Sequence, residues 1–342
     1  APNRYDVDFA LVLANTAGTS SNTNFSYINF RWADYGIYNN GALFGSVHDC
    51  NFSRINIYGL YNYGTMGDVI DNNFGNSISG IRAYYATTGN IANNTFVNNS
   101  SYGIYQDHGS IQSVTNNVFG NTGYGFYNYY GSIFEGVTNN QFINNSYGLY
   151  SYYAPISGGV TNNIFFGNTS YAFRNYGSSA SILGGVKNNL FVQNNYAFYN
   201  SSGSVDEVNY NGYFGNSTDV SGISKGANAV DLGADPFSSA NPDKPYLLNS
   251  FDPGGLQLVD RGGALSSAID SLNQKTTDAA TECLDNAFVD IGFHYETTNP
   301  SQCAVVVTCP DGVCSSGESC RTDDSACSLD NMCYEPACVN GC

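Results

Sequence analysis

Apolar and polar positions alternate along residues 24–217 in blocks of about 22 residues, and successive blocks read alike. The most regular apolar row is aromatic: Phe30, Phe52, Phe74, Phe96, Phe119, Phe142, Phe165, Phe191 and Tyr213, with gaps of 22, 22, 22, 23, 23, 23, 26 and 22. A second row precedes it: Val47, Val69, Ile91, Val114, Val137, Val160, Val186 and Val208. A third follows it: Ile37, Leu60, Ile81, Ile104, Phe126, Leu149, Phe173 and Phe198. Each row sits among β-branched or aromatic neighbours, which predicts short strands. A repeat of this length marks a solenoid, because one unit can bury its apolar side only by stacking on the next. Three short strands and three turns fit one block. The pattern therefore predicts an all-β stack of about nine or more three-strand coils, each about 4.8 Å above the last.

Asparagine punctuates the blocks. Two residues before each aromatic stand Asn72, Asn94, Asn117, Asn140, Asn163, Asn189 and Asn211, and a second polar bend follows at Asn98-Asn99, Asn144-Asn145 and Asn194-Asn195. Asparagine tolerates the left-handed backbone of a sharp turn, and its amide can bond to copies above and below. Cys50 takes this place in its own block, where it reads as a small turn residue. The Asn-Asn-x-Phe and Tyr-Gly-Ile/Leu pattern resembles the right-handed parallel β-helix repeats of the pectate-lyase-like superfamily. The resemblance implies the fold for residues 23–222. It leaves the activity open, since the superfamily holds lyases, hydrolases, adhesins and inert surface proteins.

Strand alternation turns Tyr38, Tyr61, Tyr105, Tyr127, Tyr150 and Tyr199 away from the core, with Arg82 and Arg174 interrupting the row. A strip of Gly36, Gly59, Gly80, Gly103, Gly125, Gly148, Ala172 and Ala197 runs beside it. The expected result is a flat outer wall with a shallow furrow. One reading makes the tyrosines a cover for the sheet, with arginine as a cation–π spacer. The other makes the wall a contact surface for sugar rings or for a second copy. A further tyrosine row, Tyr35, Tyr58, Tyr102, Tyr124, Tyr147, Tyr171 and Tyr196, shares the buried parity and is expected at a corner of the core.

The chain carries 28 acidic and 11 basic residues, a net charge of −17. Such a surface argues against nucleic-acid phosphate as a partner. No apolar run is long enough to span a membrane. Ten cysteines, eight of them within residues 303–342, point to an oxidising compartment and a secreted or cell-surface location. The chain begins at Ala1 without a leader and reads as a mature secreted form.

Catalytic patterns are sparse. By resemblance, lyases of the superfamily gather calcium-binding aspartates with an arginine base, and the related hydrolases cluster aspartates with histidine and an Arg-x-Lys pair. The repeat region shows neither pattern. His48, His108 and His294 are too scattered for a metal cage. Asp107-His108 pairs acid with base, yet neighbours on a strand point to opposite faces unless a turn re-aims one. Calcium is the one ion considered: Asp49 and Asp71 recur at one place in neighbouring blocks, and Asp311, Glu318, Asp323, Asp324 and Asp330 lie near the end. For all of these, solvated turn carboxylates are the competing reading, and no cofactor is expected. Asn-x-Ser/Thr sites for glycosylation occur at Asn24, Asn51, Asn93, Asn98, Asn99, Asn144, Asn168, Asn200 and Asn216.

Outside the repeat, residues 1–22 hold one apolar strand, either a first coil or a segment exchanged with a neighbour. Residues 223–302 resemble the irregular closing coils of secreted β-helix proteins. Residues 303–342, with Cys303, Cys309, Cys314, Cys320, Cys327, Cys333, Cys338 and Cys342, predict a small module held by disulfides, since forty residues build little core. Cys50 and Cys283 are left over. The expected role is a non-enzymatic extracellular structural subunit that self-associates, head to tail or laterally, into a fibre or layer. A carbohydrate-binding adhesin and a polysaccharide lyase or glycoside hydrolase are the alternatives.

Overall fold

The structure, a computed structural model, describes residues 23–237, 257–258, 261–263 and 290–295, and the backbone alone of 7–14, 275–276, 296, 306–308 and 332–334. Short parallel strands dominate. One coil runs through Val69–Ile70, Asn73–Gly75, Ser79–Tyr84 and Thr87–Thr88 before the next begins at Ile91–Ala92. Stacking these segments yields a ten-stranded, a nine-stranded and a second ten-stranded sheet. The expected three strands per coil are joined by a fourth, shorter ladder. It runs from Leu43–Phe44 to Ser132–Ile133 and continues through isolated bridges at Ile156. Its inward column, including Phe44, Met66, Ile111, Ile133, Ile156 and Ile182, is buried.

The apolar rows become vertical columns. Phe74 pairs in register with Phe52 below and Phe96 above. From Phe30 to Tyr213 successive rings lie 4.6–5.5 Å apart and within 4–10° of parallel. Touching aromatic planes lie about 3.5 Å apart, so these centroid distances mean the rings are offset, the arrangement their quadrupoles favour. The valine and isoleucine rows flank them, and every member is buried.

At the corners the two residues of each Asn-Asn pair divide the work. Asp49, Asp71, Asn93, Asn116, Asn139, Asn162 and Asn188 take the left-handed backbone, with φ of 54–57°. The next residue, expected to be the left-handed one, instead points inward and builds a ladder. The Asn117 side-chain oxygen accepts from the Asn94 backbone N–H, that of Asn140 from Asn117 and that of Asn163 from Asn140, at 2.8–2.9 Å. A second ladder through Thr122, Asn145, Asn168, Asn194 and Asn216 lines the next corner. Buried backbone donors at the bends are thereby satisfied without water.

The glycine strip corrects the expected furrow. Gly80 faces inward, where an added Cβ would lie 2.7 Å from the Phe96 ring and 2.6 Å from the Gly103 carbonyl oxygen. The strand bends there, so Gly80 and Ile81 both face the core; in the Tyr102–Asp107 strand the same bend puts Gly103 and Ile104 inside and Tyr102 and Tyr105 outside. Ala172 and Ala197 occupy the same inward place in later coils and are buried.

Val7–Ala14 pairs in parallel with Ala33–Asn40, which makes it the first rung of the tyrosine-bearing sheet. At the far end Val230–Asp231 adds a last rung beside Gly212–Phe214. The segment 290–294, expected among closing coils, instead runs back along the outer flank. The His294 N–H donates to Asn139 Oδ1 at 2.7 Å, and Asn139 Nδ2 donates to the His294 carbonyl at 2.9 Å. Ile291 and Phe293 pack with Ile164, Leu190 and Leu258 in a second, outer core. That strap covers the apolar outside of the phenylalanine-bearing sheet. Among the described residues no helix is long and apolar enough to cross a membrane.

Candidate functional site: a tyrosine wall

The opposite flank has no such strap among the described residues. In the sheet running from Val7–Ala14 to Thr218–Ser221, the repeated strands such as Tyr58–Asn62 and Tyr102–Asp107 turn their first tyrosine outward, bury the next two residues, and turn the second tyrosine outward. Register then aligns Tyr38, Tyr61, Arg82, Tyr105, Tyr127, Tyr150, Arg174 and Tyr199 as direct neighbours, as the sequence pattern predicts.

The further tyrosine row, expected at a core corner, belongs to the wall. Tyr102, Tyr124, Tyr147, Tyr171 and Tyr196 are half-buried and stack 4.6–5.5 Å apart. The bend at the following glycine, or at Ala172 and Ala197, reverses their parity, which is why alternation alone misplaces them. Two more columns complete the wall: Tyr84, Asp107, Tyr129, Tyr152 and Tyr176, and the left-handed Tyr85, His108, Tyr130 and Tyr153.

Most rings in the wall stack on the rung above or below, as Tyr38 does on Tyr61 at 4.8 Å and 6° and Tyr127 on Tyr150 at 5.0 Å and 21°. Their faces meet one another, so the wall presents ring edges outward. Burial raises the phenol pKa of Tyr61, Tyr105 and Tyr150 to about 12. For Tyr127 the rise is larger, again chiefly from burial, with neighbouring phenols adding to it. The wall is therefore uncharged at neutral pH apart from its few ionisable breaks.

The breaks are ordered. Arg82 lies over the Tyr105 ring at 4.0 Å and donates to Asp107 Oδ2 at 2.5 Å. Asp107 Oδ1 is 2.7 Å from His108 Nδ1. The left-handed backbone of His108, φ 62°, re-aims its ring, which stacks between Tyr85 and Tyr130. This turn is the exception under which neighbouring strand residues can meet, and it joins Asp107 to His108. His48 and Asp49 are likewise joined, at 3.0 Å. Arg174 is surrounded by the rings of Tyr150, Tyr171, Tyr176 and Tyr199 at 4.9–5.7 Å. Among the described residues no carboxylate pairs with Arg174, and its buried Nε lacks a hydrogen-bond partner.

The Arg82–Asp107–His108 cluster holds one carboxylate, whereas glycoside hydrolysis generally uses two across the scissile bond. Asp49 and Asp71 line a groove with Tyr27 and Asn93. Among the described residues no three His, Cys, Asp or Glu side chains gather as a metal-binding group. Asp311, Asp323, Asp324 and the side chains of the eight terminal cysteines lie outside the described residues. Cys50 is free and buried at its ladder place, and burial pushes its thiol pKa up.

Four of the Asn-x-Ser/Thr asparagines use their amides within the coil. The side-chain nitrogens of Asn99, Asn168, Asn200 and Asn216 donate to the Phe74, Phe142, Gly203 and Phe191 carbonyls at 2.9–3.0 Å. A glycan on that nitrogen would break the corner. Asn24, Asn93, Asn98 and Asn144 are exposed and Asn51 is half-buried.

A family model described as a right handed beta helix region matches residues 12–157. The coils beyond residue 157 continue the same parallel register. No curated protein and no solved structure matches the chain.

Proposed function

We propose that this right-handed parallel β-helix of about nine turns is a non-enzymatic, extracellular structural subunit that associates with further copies of itself through the tyrosine wall. One observation carries the reading: on a chain of net charge −17, the sheet with the longest strands among the described residues presents a face built mainly of tyrosine, with two arginines, one aspartate and one histidine. Enrichment in tyrosine and arginine, with lysine, glutamate and aspartate depleted, is the composition of protein interfaces. Two strongly acidic copies also meet with least repulsion where neither carries net negative charge.

The size fits. Eight rungs span about 34 Å and five steps along a strand about 17 Å, so the wall offers roughly 600 Å² per copy and about 1,200 Å² per pair, the low end of specific interfaces. Lateral pairing through a face of that size supports a weak, concentration-dependent contact that becomes strong only when repeated in a layer or fibre. The ten cysteines support an oxidising, extracellular setting.

Glycan binding uses the same wall differently, by stacking sugars on ring faces. Those faces are turned toward neighbouring rings, which weighs against it. A lyase or hydrolase reading has only the single-carboxylate cluster at Asp107.

Sedimentation of the full chain from micromolar to near-millimolar concentration tests the proposal. Mass should rise with concentration, and Arg174→Glu with Tyr127→Ser should abolish the rise while leaving circular dichroism unchanged. A strictly monomeric wild type across that range refutes it. Binding to a glycan array, or cleavage of a polysaccharide panel with or without calcium, would install the respective alternative.

A further inference from the structure

The stacked tyrosines carry a consequence beyond contact. Tyr102, Tyr124, Tyr147, Tyr171 and Tyr196 form an unbroken run over five rungs. Their centroids are separated in turn by 5.2, 4.6, 5.5 and 4.9 Å, and their planes lie within 26° of parallel. Unlike the phenylalanine column inside, each of these rings is half-buried and has solvent on one side. A second column stands alongside, with Tyr124 and Tyr127 at 5.3 Å. The phenols are thus held at near-contact distance while their edges stay accessible to a reagent.

We propose that this run is a site of oxidative modification, at which a peroxidase-type oxidant couples tyrosines of successive rungs into dityrosine. The step balances with hydrogen peroxide as the co-reactant. Each of two phenols gives one electron to the oxidant and one proton to water. The two phenoxyl radicals join by a carbon–carbon bond between ring positions ortho to the oxygens. The hydrogens at those carbons then return to the oxygens, restoring two phenols. Peroxide takes up the two electrons and two protons and leaves as two waters.

Geometry makes the coupling intramolecular. A radical on an isolated surface tyrosine must wait for a second molecule, whereas here the next ring stands 4.6–5.5 Å away. Holding reactants in place replaces a bimolecular encounter with a unimolecular one. The solvent side gives a ring room to swing from face contact to edge contact, which the enclosed phenylalanine column does not allow. Each link would staple one coil to the next. The inference does not depend on the wall pairing with a second copy, because the bond forms within one chain.

The test uses the full chain at low micromolar concentration with a peroxidase and hydrogen peroxide. Dityrosine fluorescence should appear in material of monomer mass, each link should remove two hydrogens, and the yield per chain should not change on tenfold dilution. Peptide mapping should join Tyr124 to Tyr147 and Tyr171 to Tyr196. Replacing Tyr124→Phe and Tyr171→Phe keeps the stack but leaves the remaining tyrosines of the run two rungs apart; links between successive rungs of the run should vanish from the peptide map, while the neighbouring columns keep their own stacked pairs. Tyr27, 78% exposed and away from the wall, serves as the internal comparison. Dityrosine confined to species above monomer mass overturns the proposal. So does a yield that falls in proportion to dilution, a wild-type peptide map without the Tyr124–Tyr147 and Tyr171–Tyr196 links, or oxidation of Tyr27 without links in the run. Loss of self-association with intramolecular links intact would instead remove only the structural-subunit reading.

Discussion

Replacing Asn140 with alanine tests whether the corner ladders or the apolar columns set the strength of the coil. Asn140 is fully buried and its amide makes five hydrogen bonds. Its nitrogen donates to the carbonyls of Val114 and Thr138 and to Asn163 Oδ1, and its oxygen accepts from the backbone and side chain of Asn117. Alanine removes all five. At about 1 kcal/mol net for each, the loss is about 5 kcal/mol. Counting instead only the groups left buried without this partner, chiefly the Asn117 N–H and the Val114 carbonyl, at about 1–3 kcal/mol each, gives a similar range. The expected cost is therefore about 3–5 kcal/mol. Asn144 is the comparison, since it is exposed with φ 53°. Asn144→Ala should cost only about 1 kcal/mol, the strain of alanine in the left-handed region.

Glycine separates the two roles more sharply. Asn144→Gly should be neutral or slightly stabilising, because glycine accepts a positive φ freely. Asn140→Gly should be at least as damaging as Asn140→Ala, because that position needs an amide. Urea unfolding followed by circular dichroism measures the ranking. A stack of coils need not unfold in one step. Amide exchange at Asn117 therefore supplies the local reading: a loss of 3–5 kcal/mol corresponds to roughly a hundred- to several-thousand-fold faster exchange. If Asn140→Ala shifts the urea midpoint no more than Asn144→Ala, and Asn117 stays protected, the ladder contributes nothing beyond turn geometry and the argument fails.

Gly103→Ala should destabilise by about 1–3 kcal/mol, since the added methyl would lie 2.4 Å from the Gly125 oxygen and 2.8 Å from the Phe119 ring; Ala172→Gly should cost no more than about 1 kcal/mol, and equal thermal shifts for the two would contradict the inward placement of the strip. Alkaline pH should weaken the wall. Tyr61, Tyr105 and Tyr150 keep their protons to about pH 12 when folded, against 10 for an ordinary phenol, so the unfolded chain binds fewer protons between those values and stability falls as pH rises through that window. Phenolate absorbance there should rise together with loss of β-sheet signal; full ionisation near pH 10 with the signal intact would refute it. Asn139→Gly removes both hydrogen bonds to His294 without straining the left-handed backbone at φ 55°, so exchange at the His294 amide should speed up by roughly thirtyfold, for about 2 kcal/mol, while the coil columns melt at most slightly earlier. A His294 amide as protected as in the wild type would show that the strap is held by its apolar contacts alone.

Most of the architecture was legible because a solenoid writes its contacts as a sequence period. The Phe30–Tyr213 row could be placed in one column from spacing alone, since each rung pairs with the one a coil away, and the wall from Tyr38 to Tyr199 followed from the same count. Parity within a strand was less secure. Strict alternation assigns Tyr102 and Ile104 to one side, but the bend at Gly103 puts Ile104 inside and Tyr102 outside. A third inward polar column, including Asn39, Asn62, Asn128 and Asn200, is marked in the sequence by a recurring Tyr-Asn pair.

The chain by itself determined which residues stand above one another, because period is a one-dimensional property that survives without coordinates. Only the tertiary structure decided which way they face and what lies against them. The turn at φ 62° that carries His108 to Asp107 depends on backbone angles within a coil. The return of His294 to Asn139, 155 residues earlier, depends on a path through space that no local repeat encodes. Columns follow from counting, whereas faces, clusters and straps follow from how each bend spends its few dihedral angles and from distant segments that find an apolar flank to cover.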